Sequence, residues 1–307
     1  MTNQTAIGFV GIGAMGWPMA ANLVRRQFPV TVYDLDRERQ DRFVQAHQSR
    51  AASSLADLGE DASVIVTMLP TGRDVREVLL SAEDGALAKA LKPGAIVVDM
   101  SSSDPAGTRE LAATLAARGV ILIDAPVSGG TRGAEAASLT IMIGSGDKAA
   151  VERVRPLLDA MGQRLFETGG SGTGHAMKAL NNFVAGTNFL AAAEALVVGR
   201  RFGLDPALMI DIINQSTGRN FSTEHVLPQH VLSRKFASGF QLGLLAKDVK
   251  IAADLAEDMQ AHAPLAQLSR DLLARAKDRL GGDADHSAAI RYWEMLNGVT
   301  IGGEPEA

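Results

Sequence analysis

The 307-residue chain contains no cysteine, and only 5% of its residues are aromatic. Without cysteine it cannot form disulfide bonds, iron–sulfur clusters, thiolate metal sites or a cysteine nucleophile. Its formal charge is −5, from 30 Lys and Arg against 35 Asp and Glu, so it lacks the positive excess that attracts nucleic acid or anionic lipid. We therefore expect a small-molecule partner, and neither a nucleic acid nor a membrane.

Export signals and membrane-spanning runs are also missing. The first residues, MTNQTAIGFVGIG, have no basic segment and reach two glycines before an apolar stretch can form, so we expect no signal peptide and a cytoplasmic protein. The longest apolar segment, 182–199, includes Thr187, Asn188 and Glu194 and falls short of the ~20 apolar residues that span a bilayer. We interpret it as a buried helix.

Two patterns divide the chain. Short apolar, β-rich runs alternate with helical segments up to about residue 168, which indicates a parallel sheet covered on both faces. Beyond the glycine cluster at 169–174 the periodicity is helical. The predicted strands cover 7–10, 30–33, 64–68, 95–99, 120–124 and 139–143, and the later helices cover 175–202, 205–215, 242–258, 264–280 and 286–296. The sequence thus predicts an α/β, Rossmann-like doubly wound domain over 1–170 and an all-α domain over 171–307 that starts with a long interdomain helix.

A glycine motif follows the first predicted strand directly. Its G-x-G-x-x-G glycines are Gly11, Gly13 and Gly16, and Asp34 ends the second strand. In a dinucleotide-binding turn these glycines permit a tight turn, close approach of a pyrophosphate and packing of helix on strand, while the acid accepts hydrogen bonds from the ribose. The motif predicts an NAD site; its remaining backbone contacts are Ile12, Ala14 and Met15.

Two alternatives accompany this interpretation. The glycines are otherwise ordinary turn residues, and Asp34 otherwise forms an Asx turn with Asp36. NAD is expected over NADP because a carboxylate repels a 2′-phosphate. NADP stays open because Arg37 and Arg39 lie close enough in sequence to meet that phosphate if Asp34 turns away.

The loops after two later strands end at the same edge of the predicted sheet, where α/β sheets bind ligands. Met68, Leu69 and Pro70 form one loop, and Ser102 lies in the other. We expect backbone and hydroxyl contacts to the cofactor from them. The alternative is that both loops only cap the helices that follow.

Two further segments carry the candidate chemistry. Ser128, Gly129 and Gly130 in DAPVSGG form a loop whose amides suit a small carboxylate, or only a Pro- and Gly-rich turn. GTGHAMKALNN opens a helix on which Lys178 and Asn182 lie four residues apart on one face. The positive end of a helix dipole tends to lower the pKa of a lysine, which suits a general acid or base. The alternative is a lysine that extends to solvent.

With these motifs the chain resembles the β-hydroxyacid dehydrogenase family over essentially its whole length. Four family motifs occur in order: GFVGIGAMGWPMAANL, DAPVSGG, GTGHAMKALNN and LLAKDVKIA. The resemblance implies that Lys178 is the catalytic acid/base, that Asn182 and the Ser128–Gly130 loop hold substrate, and that Ser102 and Lys247 touch the cofactor. Position 102 is commonly threonine in the family, and serine keeps the hydroxyl. The implied reaction is hydride transfer between NAD and the 3-hydroxyl of a small 3-hydroxy acid, or the carbonyl of its semialdehyde.

Several points stay open from the sequence. Substrate candidates are 3-hydroxyisobutyrate, tartronate semialdehyde, L-threonate and sulfolactaldehyde. Arg219, in a polar loop over 216–224, either meets a second polar group of the substrate, caps a helix or pairs with Glu224. An imine reductase is disfavoured, because imine-reducing relatives generally lack the lysine, and a catalytically silent dinucleotide-binding module is the other alternative. The sequence contains no HExxH-like spacing, so we expect no metal site. The long apolar helix suggests a homodimer or homotetramer.

Overall fold

The computed structural model describes residues 5–81 and 86–303, and the chain divides into two compact units, Met1–Lys178 and Ala179–Ala307. The first unit is a sheet with helices on both faces, and the second is helical. The division between the units falls inside the long helix Thr173–Phe202.

The first unit is built on a nine-stranded sheet. Its strands are β1 (Ile7–Val10), β2 (Val30–Tyr33), β3 (Arg50–Ala51), β4 (Val64–Thr67), β5 (Ile96–Asp99), β6 (Ile121–Asp124), β7 (Val127–Ser128), β8 (Leu139–Gly144) and β9 (Gly162–Gly169). Its helices are α1 (Gly16–Arg25), α2 (Arg37–His47), α3 (Leu55–Asp61), α4 (Gly72–Leu80), α5 (Leu87–Ala90), α6 (Pro105–Ala116), α7 (Gly130–Glu135) and α8 (Lys148–Asp159). The strand order is β3-β2-β1-β4-β5-β6-β8-β7, and β9 pairs with β8.

The doubly wound half of this sheet is confirmed. Strands β2, β1, β4, β5 and β6 are parallel neighbours in that order. Alternate residues of each strand enter opposite core clusters, as Phe9 and Val10 do in β1, so both faces are buried. The chain order reverses direction between β1 and β4, which is the point where doubly wound sheets bind ligands.

The sheet departs from the prediction in two ways. First, β8 runs antiparallel to β6 and β7, with Asp124 opposite Gly144 and Ser128 opposite Thr140. An antiparallel neighbour needs no crossover connection, and only the short α7 separates β7 from β8. Second, the sequence did not reveal β3, β7 and β9. Strands β3 and β7 have only two residues each, and most residues of β9 are partly or fully exposed and form no continuous apolar run.

Backbone hydrogen bonds extend the ladder one residue beyond the parallel strands. Met68 N donates to Val10 O at 2.9 Å, and Ala125 N donates to Asp99 O at 2.7 Å. The loops that follow β4 and β6 therefore leave one sheet edge in fixed register with their neighbours.

The second unit holds most of α9 (Thr173–Phe202) and the helices after it. These are α10 (Pro206–Asn214), a π-helix (Ser222–Leu232), α11 (Leu242–Asp258), α12 (Pro264–Leu280), a short 3₁₀ helix (His286–Ala289) and α13 (Ile290–Asn297). Their core includes Phe189, Leu196, Val249 and Trp293. The predicted helix over 286–296 is thus a 3₁₀ turn followed by α13, and the other helices lie within two residues of their predicted bounds.

The π-helix was missed, since the sequence suggests a polar loop over 216–224 and Pro228 inside the segment reads as a helix breaker. Asn220 caps its start, because Asn220 Oδ1 accepts hydrogen bonds from Ser222 N at 2.9 Å and Thr223 N at 3.2 Å. Leu227 and Val231 of this helix are fully buried in the core of the second unit.

Among the described residues, α9 is the one helix long and apolar enough to cross a membrane. Its most apolar window has a mean hydropathy of 1.3, and half of that window is buried within the protein. Phe189 and Leu196 of α9 belong to the core of the second unit. Part of α9 therefore packs within the core of the second unit.

Candidate active site

The glycine motif forms the turn between β1 and α1. Gly11 has a φ of +88°, and a Cβ there would lie 2.4 Å from Met68 O. A Cβ on Gly16 would lie 1.9 Å from Gly11 O, so neither position admits a side chain. A Cβ on Gly13 would meet no protein atom within 4 Å, which leaves the backbone open to a ligand.

The start of α1 fits the pyrophosphate of a dinucleotide. The helix begins at Gly16, and its N-cap residue Met15 contributes no side-chain hydrogen bond. Backbone N–H groups at such a start need an external acceptor, and a phosphate is a good one. Ile12 is buried beneath this turn and Ala14 is exposed on it.

Asp34 follows β2 and lies against the glycine turn with only 9% of its surface exposed. Its Oδ2 accepts a hydrogen bond from Ile12 N at 2.8 Å, and its Oδ1 accepts from Asp36 N at 2.9 Å and from Arg39 Nη1 at 3.2 Å. The bond from Asp36 is the Asx turn considered from the sequence. One carboxylate therefore forms that turn and also lies beside the phosphate loop, so the two interpretations are compatible.

A groove of about 550 Å³ lies beside the glycine turn. Arg39 lines it and pairs with both Asp34 and Asp36, at 3.2 and 3.1 Å. Arg37 is directed elsewhere, because its guanidinium lies 5.0 Å from the ring centre of Tyr33. The full lining is Ile12, Gly13, Ala14, Trp17, Arg39, Arg42 and Ala46. Arg37 and Arg39 were the two arginines that left NADP possible as the cofactor, and of these only Arg39 lines the groove. Arg42, which the sequence did not single out, lines the groove as well.

Asp99 at the end of β5 ties together the two loops expected to contact the cofactor. This acid is 2% exposed. Its Oδ1 accepts hydrogen bonds from Thr67 Oγ1 at 2.9 Å and Ser101 N at 3.0 Å, and its Oδ2 accepts from Ser103 Oγ at 2.9 Å. Ser101 Oγ in turn accepts from Leu69 N at 2.9 Å. The sequence placed Asp99 at the start of this loop but gave the acid no role of its own, and its bond from Thr67 on β4 is visible only in the structure.

Ser102 and the Met68–Pro70 loop are held by these bonds. Ser102 lies half-buried between the anchored Ser101 and Ser103, while Met68 is half-buried and Pro70 exposed. Their contacts with the cofactor stay predictions.

A second buried acid, Asp124 at the end of β6, binds the start of α9. Its Oδ1 accepts a hydrogen bond from Gly172 N at 2.7 Å, and its Oδ2 accepts from His175 N at 3.0 Å. Burial raises the pKa of the Asp124 carboxyl, and the charge of His175 and the backbone hydrogen bonds oppose that rise. A carboxylate at this position offsets the positive helix end that the sequence suggested for Lys178, so the helix dipole argument loses most of its force.

His175 links α9 to the rest of the first unit. Its ring is buried, with Nδ1 2.8 Å from Thr108 Oγ1 on α6 and Nε2 3.6 Å from Asp99 Oδ2. Thr108 and Asp99 lie at the same sheet edge as the cofactor loops. The imidazole thus holds the first turn of α9 against β5 and α6.

Lys178 lies in the second turn of α9, one turn beyond His175, and is half-buried.

In the same unit, Ser128 of β7 pairs with Thr140 of β8. Gly129 and Gly130 follow with φ values of +133° and +61° and are exposed. Their amides carry no side chain above them, as a turn that binds a carboxylate requires.

Asn182 is anchored by a residue that sequence reasoning missed. Its Nδ2 donates to Asp248 Oδ2 at 2.5 Å, and its Oδ1 accepts from Asn181 Nδ2 at 3.1 Å. Asp248 is buried on α11, and Lys247 Nζ lies 3.1 Å from its Oδ1. The signal was present in the Lys247-Asp248 pair of LLAKDVKIA, but only the lysine was assigned a role. Contact of Lys247 with the cofactor stays a prediction.

Arg219 is exposed, with 64% of its side chain accessible to solvent. Its Nε lies 3.7 Å from Glu224 Oε1, which is a weak surface pair. Of the sequence alternatives, the pair with Glu224 is therefore present. Within residues 5–81 and 86–303, no cluster of three or more His, Asp or Glu side chains is arranged to hold a metal ion.

Two family models match consecutive parts of the chain. One, described as the NAD binding domain of 6-phosphogluconate dehydrogenase, matches residues 6–170. The other, described as NAD-binding of NADP-dependent 3-hydroxyisobutyrate dehydrogenase, matches residues 172–293.

Individual proteins are similar over nearly the whole length. The chain is 36% identical to 2-(hydroxymethyl)glutarate dehydrogenase of Eubacterium barkeri, covering 99% of both chains. It is 38% identical to 3-hydroxyisobutyrate dehydrogenase of Pseudomonas aeruginosa, covering 92% of this chain and 95% of that one. A solved structure of Mycobacterium tuberculosis 3-hydroxyisobutyrate dehydrogenase with L-serine has a TM-score of 0.86 and 33% identity, covering 94% of this chain and 99% of that one. The chain therefore belongs to the β-hydroxyacid dehydrogenase family and is an NAD-dependent oxidoreductase.

Proposed function

We propose that this enzyme transfers a hydride between NAD and the 3-hydroxyl of a small 3-hydroxy acid, or the carbonyl of its semialdehyde, with Lys178 as general acid/base. One observation carries the proposal. Lys178 follows directly on a helix start that is held by the buried Asp124, and Asp124 also leads into the Ser128–Gly130 loop. The amine and the carboxylate-binding turn thus share one rigid support in the first unit.

Lys178 moves the proton in this proposal. In oxidation its neutral amine accepts the proton of the substrate hydroxyl, and in reduction its ammonium returns a proton to that oxygen. When bound, NAD would supply the hydride acceptor for the carbon that carries the hydroxyl. The Ser128 hydroxyl and the amides of Gly129 and Gly130 hold the substrate carboxylate, which fixes the distance from the carboxylate to the reacting carbon.

Asn182 orients the reacting oxygen from the next turn of α9. A side-chain amide has two N–H donors, and one of those in Asn182 donates to Asp248. We assign the second to the substrate oxygen or to the neutral Lys178 amine. Because Asp248 holds the amide by a charge-assisted bond, Asn182 keeps this orientation without a cost in side-chain entropy at each turnover.

The relatives define a substrate class. 3-Hydroxyisobutyrate, 2-(hydroxymethyl)glutarate and L-serine, which these relatives' descriptions name, all contain a hydroxymethyl group on the carbon next to a carboxylate. They differ only in the other substituent of that carbon: a methyl, a carboxyethyl or an ammonium group. We propose the same 3-hydroxypropanoate unit here, with Arg219 as the candidate partner of a charged substituent.

Turnover of a substrate panel tests the proposal. The panel is 3-hydroxyisobutyrate, 2-(hydroxymethyl)glutarate, L-serine, glycerate and threonate, each with NAD and with NADP. We expect Lys178→Ala to lower kcat by about 10²- to 10⁴-fold on the best substrate and to leave NAD affinity within about threefold. Lys250→Ala removes an exposed lysine that pairs with Asp254 and is the matched control. An active Lys178→Ala enzyme would remove lysine from the chemistry.

The same panel separates the alternatives. NAD binding without oxidation of any member would favour the catalytically silent module. Arg219→Ala should lower activity selectively on 2-(hydroxymethyl)glutarate if the arginine meets the second carboxylate, and uniform activity across the panel would leave Arg219 as a surface partner of Glu224.

We further propose that the enzyme is a cytoplasmic homodimer or homotetramer. The second unit exposes large apolar side chains at Val198, Phe202, Leu208 and Ile212, of which Phe202 is 86% exposed. Exposed apolar side chains of this size are typical of surfaces that a partner covers. Sedimentation equilibrium tests the assembly, and a single monomeric species at micromolar concentration would contradict it. Cell fractionation tests the compartment, and recovery in the membrane pellet would contradict a cytoplasmic location.

A further inference from the structure

We propose that Asp124 is a positioning residue for catalysis, which sets the place of Lys178 relative to the Ser128–Gly130 loop. The inference rests on the proposed function, because it concerns how the proposed base and the proposed carboxylate turn are held together. Three observations support it: the donors that Asp124 accepts from, its unusual place as a helix cap, and the glycines packed around it.

The carboxylate of Asp124 is fully buried and accepts from two backbone donors at once. Gly172 N reaches one oxygen and His175 N the other. Only a group with two acceptor oxygens satisfies both donors. An asparagine would satisfy one donor and turn its own N–H₂ towards the other, so the first turn of α9 would have to shift.

Asp124 differs from the other helix caps of this unit. Asp36, Asp104 and Asp147 each precede the helix they cap directly and are at least partly exposed. Asp124 caps α9 from β6, across 48 and 51 residues of chain. A local, exposed cap would hold the helix as well, without the desolvation that a buried charge requires. The long-range cap therefore determines where α9 starts relative to β6, which the stability of the helix alone does not need.

Two glycines bring the helix and the strands into direct contact. A Cβ on Gly174 would lie 2.4 Å from Met142 O and 2.8 Å from Asp124 Oδ2. A Cβ on Gly144 would lie 2.5 Å from the same Oδ2. The start of α9 thus rests on the backbone of β8 and on Asp124, with no side chain between them.

Strand β8 contacts both the start of α9 and the segment that carries Ser128. It supports Gly174 through Met142 O, and it pairs with the segment that carries Ser128, since Asp124 lies opposite Gly144 and Ser128 opposite Thr140. Lys178 follows Gly174 by four residues on a continuous helix. The distance between the lysine and the carboxylate turn is therefore determined by this clamp of Asp124, Gly144 and Gly174.

The test compares Asp124→Asn with Asp147→Asn, which keeps a good cap on α8 because Asn caps helices as well as Asp. Hydrogen exchange of amides 172–178 is measured without substrate, and kcat, KM and NAD affinity are measured on the best substrate of the panel. We expect Asp124→Asn to speed exchange in that segment and to lower kcat by about 10- to 100-fold, the range a displacement of about 1 Å produces. NAD affinity should stay within about threefold. Asp147→Asn should match the wild type in all four measurements.

A second pair covers the case in which Asp124→Asn fails to fold. Gly174→Ala places a methyl against Met142 O and should lower kcat, whereas Gly170→Ala, where a Cβ meets nothing within 4 Å, should not. Wild-type kcat in Gly174→Ala would overturn the clamp.

A double variant distinguishes positioning from general damage. If Asp124 acts through the lysine, Lys178→Ala with Asp124→Asn should be no slower than Lys178→Ala alone. A full multiplicative loss in the double variant, or an unchanged kcat in Asp124→Asn despite faster exchange, would overturn the proposal. Failure of the proposed function is a separate result, since it appears as an active Lys178→Ala enzyme while the exchange measurement still reports on the clamp.

Discussion

Replacement of Asp34 by asparagine should change the choice between NAD and NADP. Asparagine keeps the shape of the side chain and removes its charge. The carboxylate lies against the glycine turn through Ile12 N and beside the groove that Arg39 lines. With a single acceptor oxygen, the asparagine side chain cannot serve both Ile12 N and Asp36 N. That loss weakens both cofactors alike and cancels in their ratio.

The ratio of kcat/KM with NAD to kcat/KM with NADP reports two other effects. A hydrogen bond from a ribose hydroxyl is worth about 1 to 2 kcal/mol more to a charged acceptor than to a neutral one. Loss of the negative charge also removes about 1 kcal/mol of repulsion from a 2′-phosphate in a solvated groove. Together these effects give about 2 to 3 kcal/mol, so we expect the preference for NAD over NADP, as kcat/KM, to fall roughly 30- to 150-fold.

The assay is steady-state kinetics with each cofactor at saturating hydroxy acid, and Asp36→Asn is the control. Asp36 also pairs with Arg39, at 3.1 Å, and Asn retains its function as the cap of α2. The control should shift the ratio by less than about threefold. If Asp34→Asn leaves the ratio unchanged, the reasoning is refuted, and the choice of cofactor belongs to Arg39 and Arg42.

Three further predictions follow from the packing. Gly16→Ala should lower both the melting temperature and NAD affinity because its Cβ would overlap Gly11 O, whereas Gly13→Ala should weaken NAD binding alone. Thermal melts measure the melting temperature and NADH fluorescence titrations measure the affinity. Equal behaviour of the two variants would contradict the roles assigned to these glycines. Asp248→Ala leaves a buried N–H of Asn182 unpaired and should lower the free energy of unfolding by about 1 to 3 kcal/mol in urea; a loss below about 0.5 kcal/mol would show that the pair is dispensable. Burial lowers the pKa of His286 from its ordinary 6.5, with Asp285 opposing and His230 assisting the shift. The folded state therefore binds this proton less readily than the unfolded state, so the free energy of unfolding should fall as the pH drops below about 6.5, and His286→Gln should show a shallower pH dependence.

Short-range sequence patterns were sufficient to predict the glycine turn after β1 and the face of α9 that carries Lys178 and Asn182. Gly16 is required by its contact with Gly11 O, and Gly11 by its positive φ of +88°, both within one strand–turn–helix unit, so the motif predicts their roles without knowledge of the rest of the sheet. Lys178 and Asn182 share a face because four residues make about one helical turn. The parallel strands are visible as continuous apolar runs, since both of their faces are buried.

For Asp34, the sequence predicts the position and the structure supplies the contacts. Its position at the end of β2 follows from the motif, but only the structure shows that its oxygens bond to Ile12, Asp36 and Arg39 together. The direction of Arg37, away from the groove, likewise depends on where Tyr33 and the loop after β3 lie.

Sequence alone determined the fold class, the glycine turn and the two candidate residues on α9, because each depends on residues within a few positions of one another. Tertiary structure decided that Asp124 caps α9, that Asp248 holds Asn182 and that β8 runs antiparallel, across separations of 48 residues for Asp124 and Gly172 and 66 for Asn182 and Asp248. An acid leaves no periodic trace of a partner so distant in the chain. Its role depends on which strand ends and helix starts the folded sheet brings within hydrogen-bond distance.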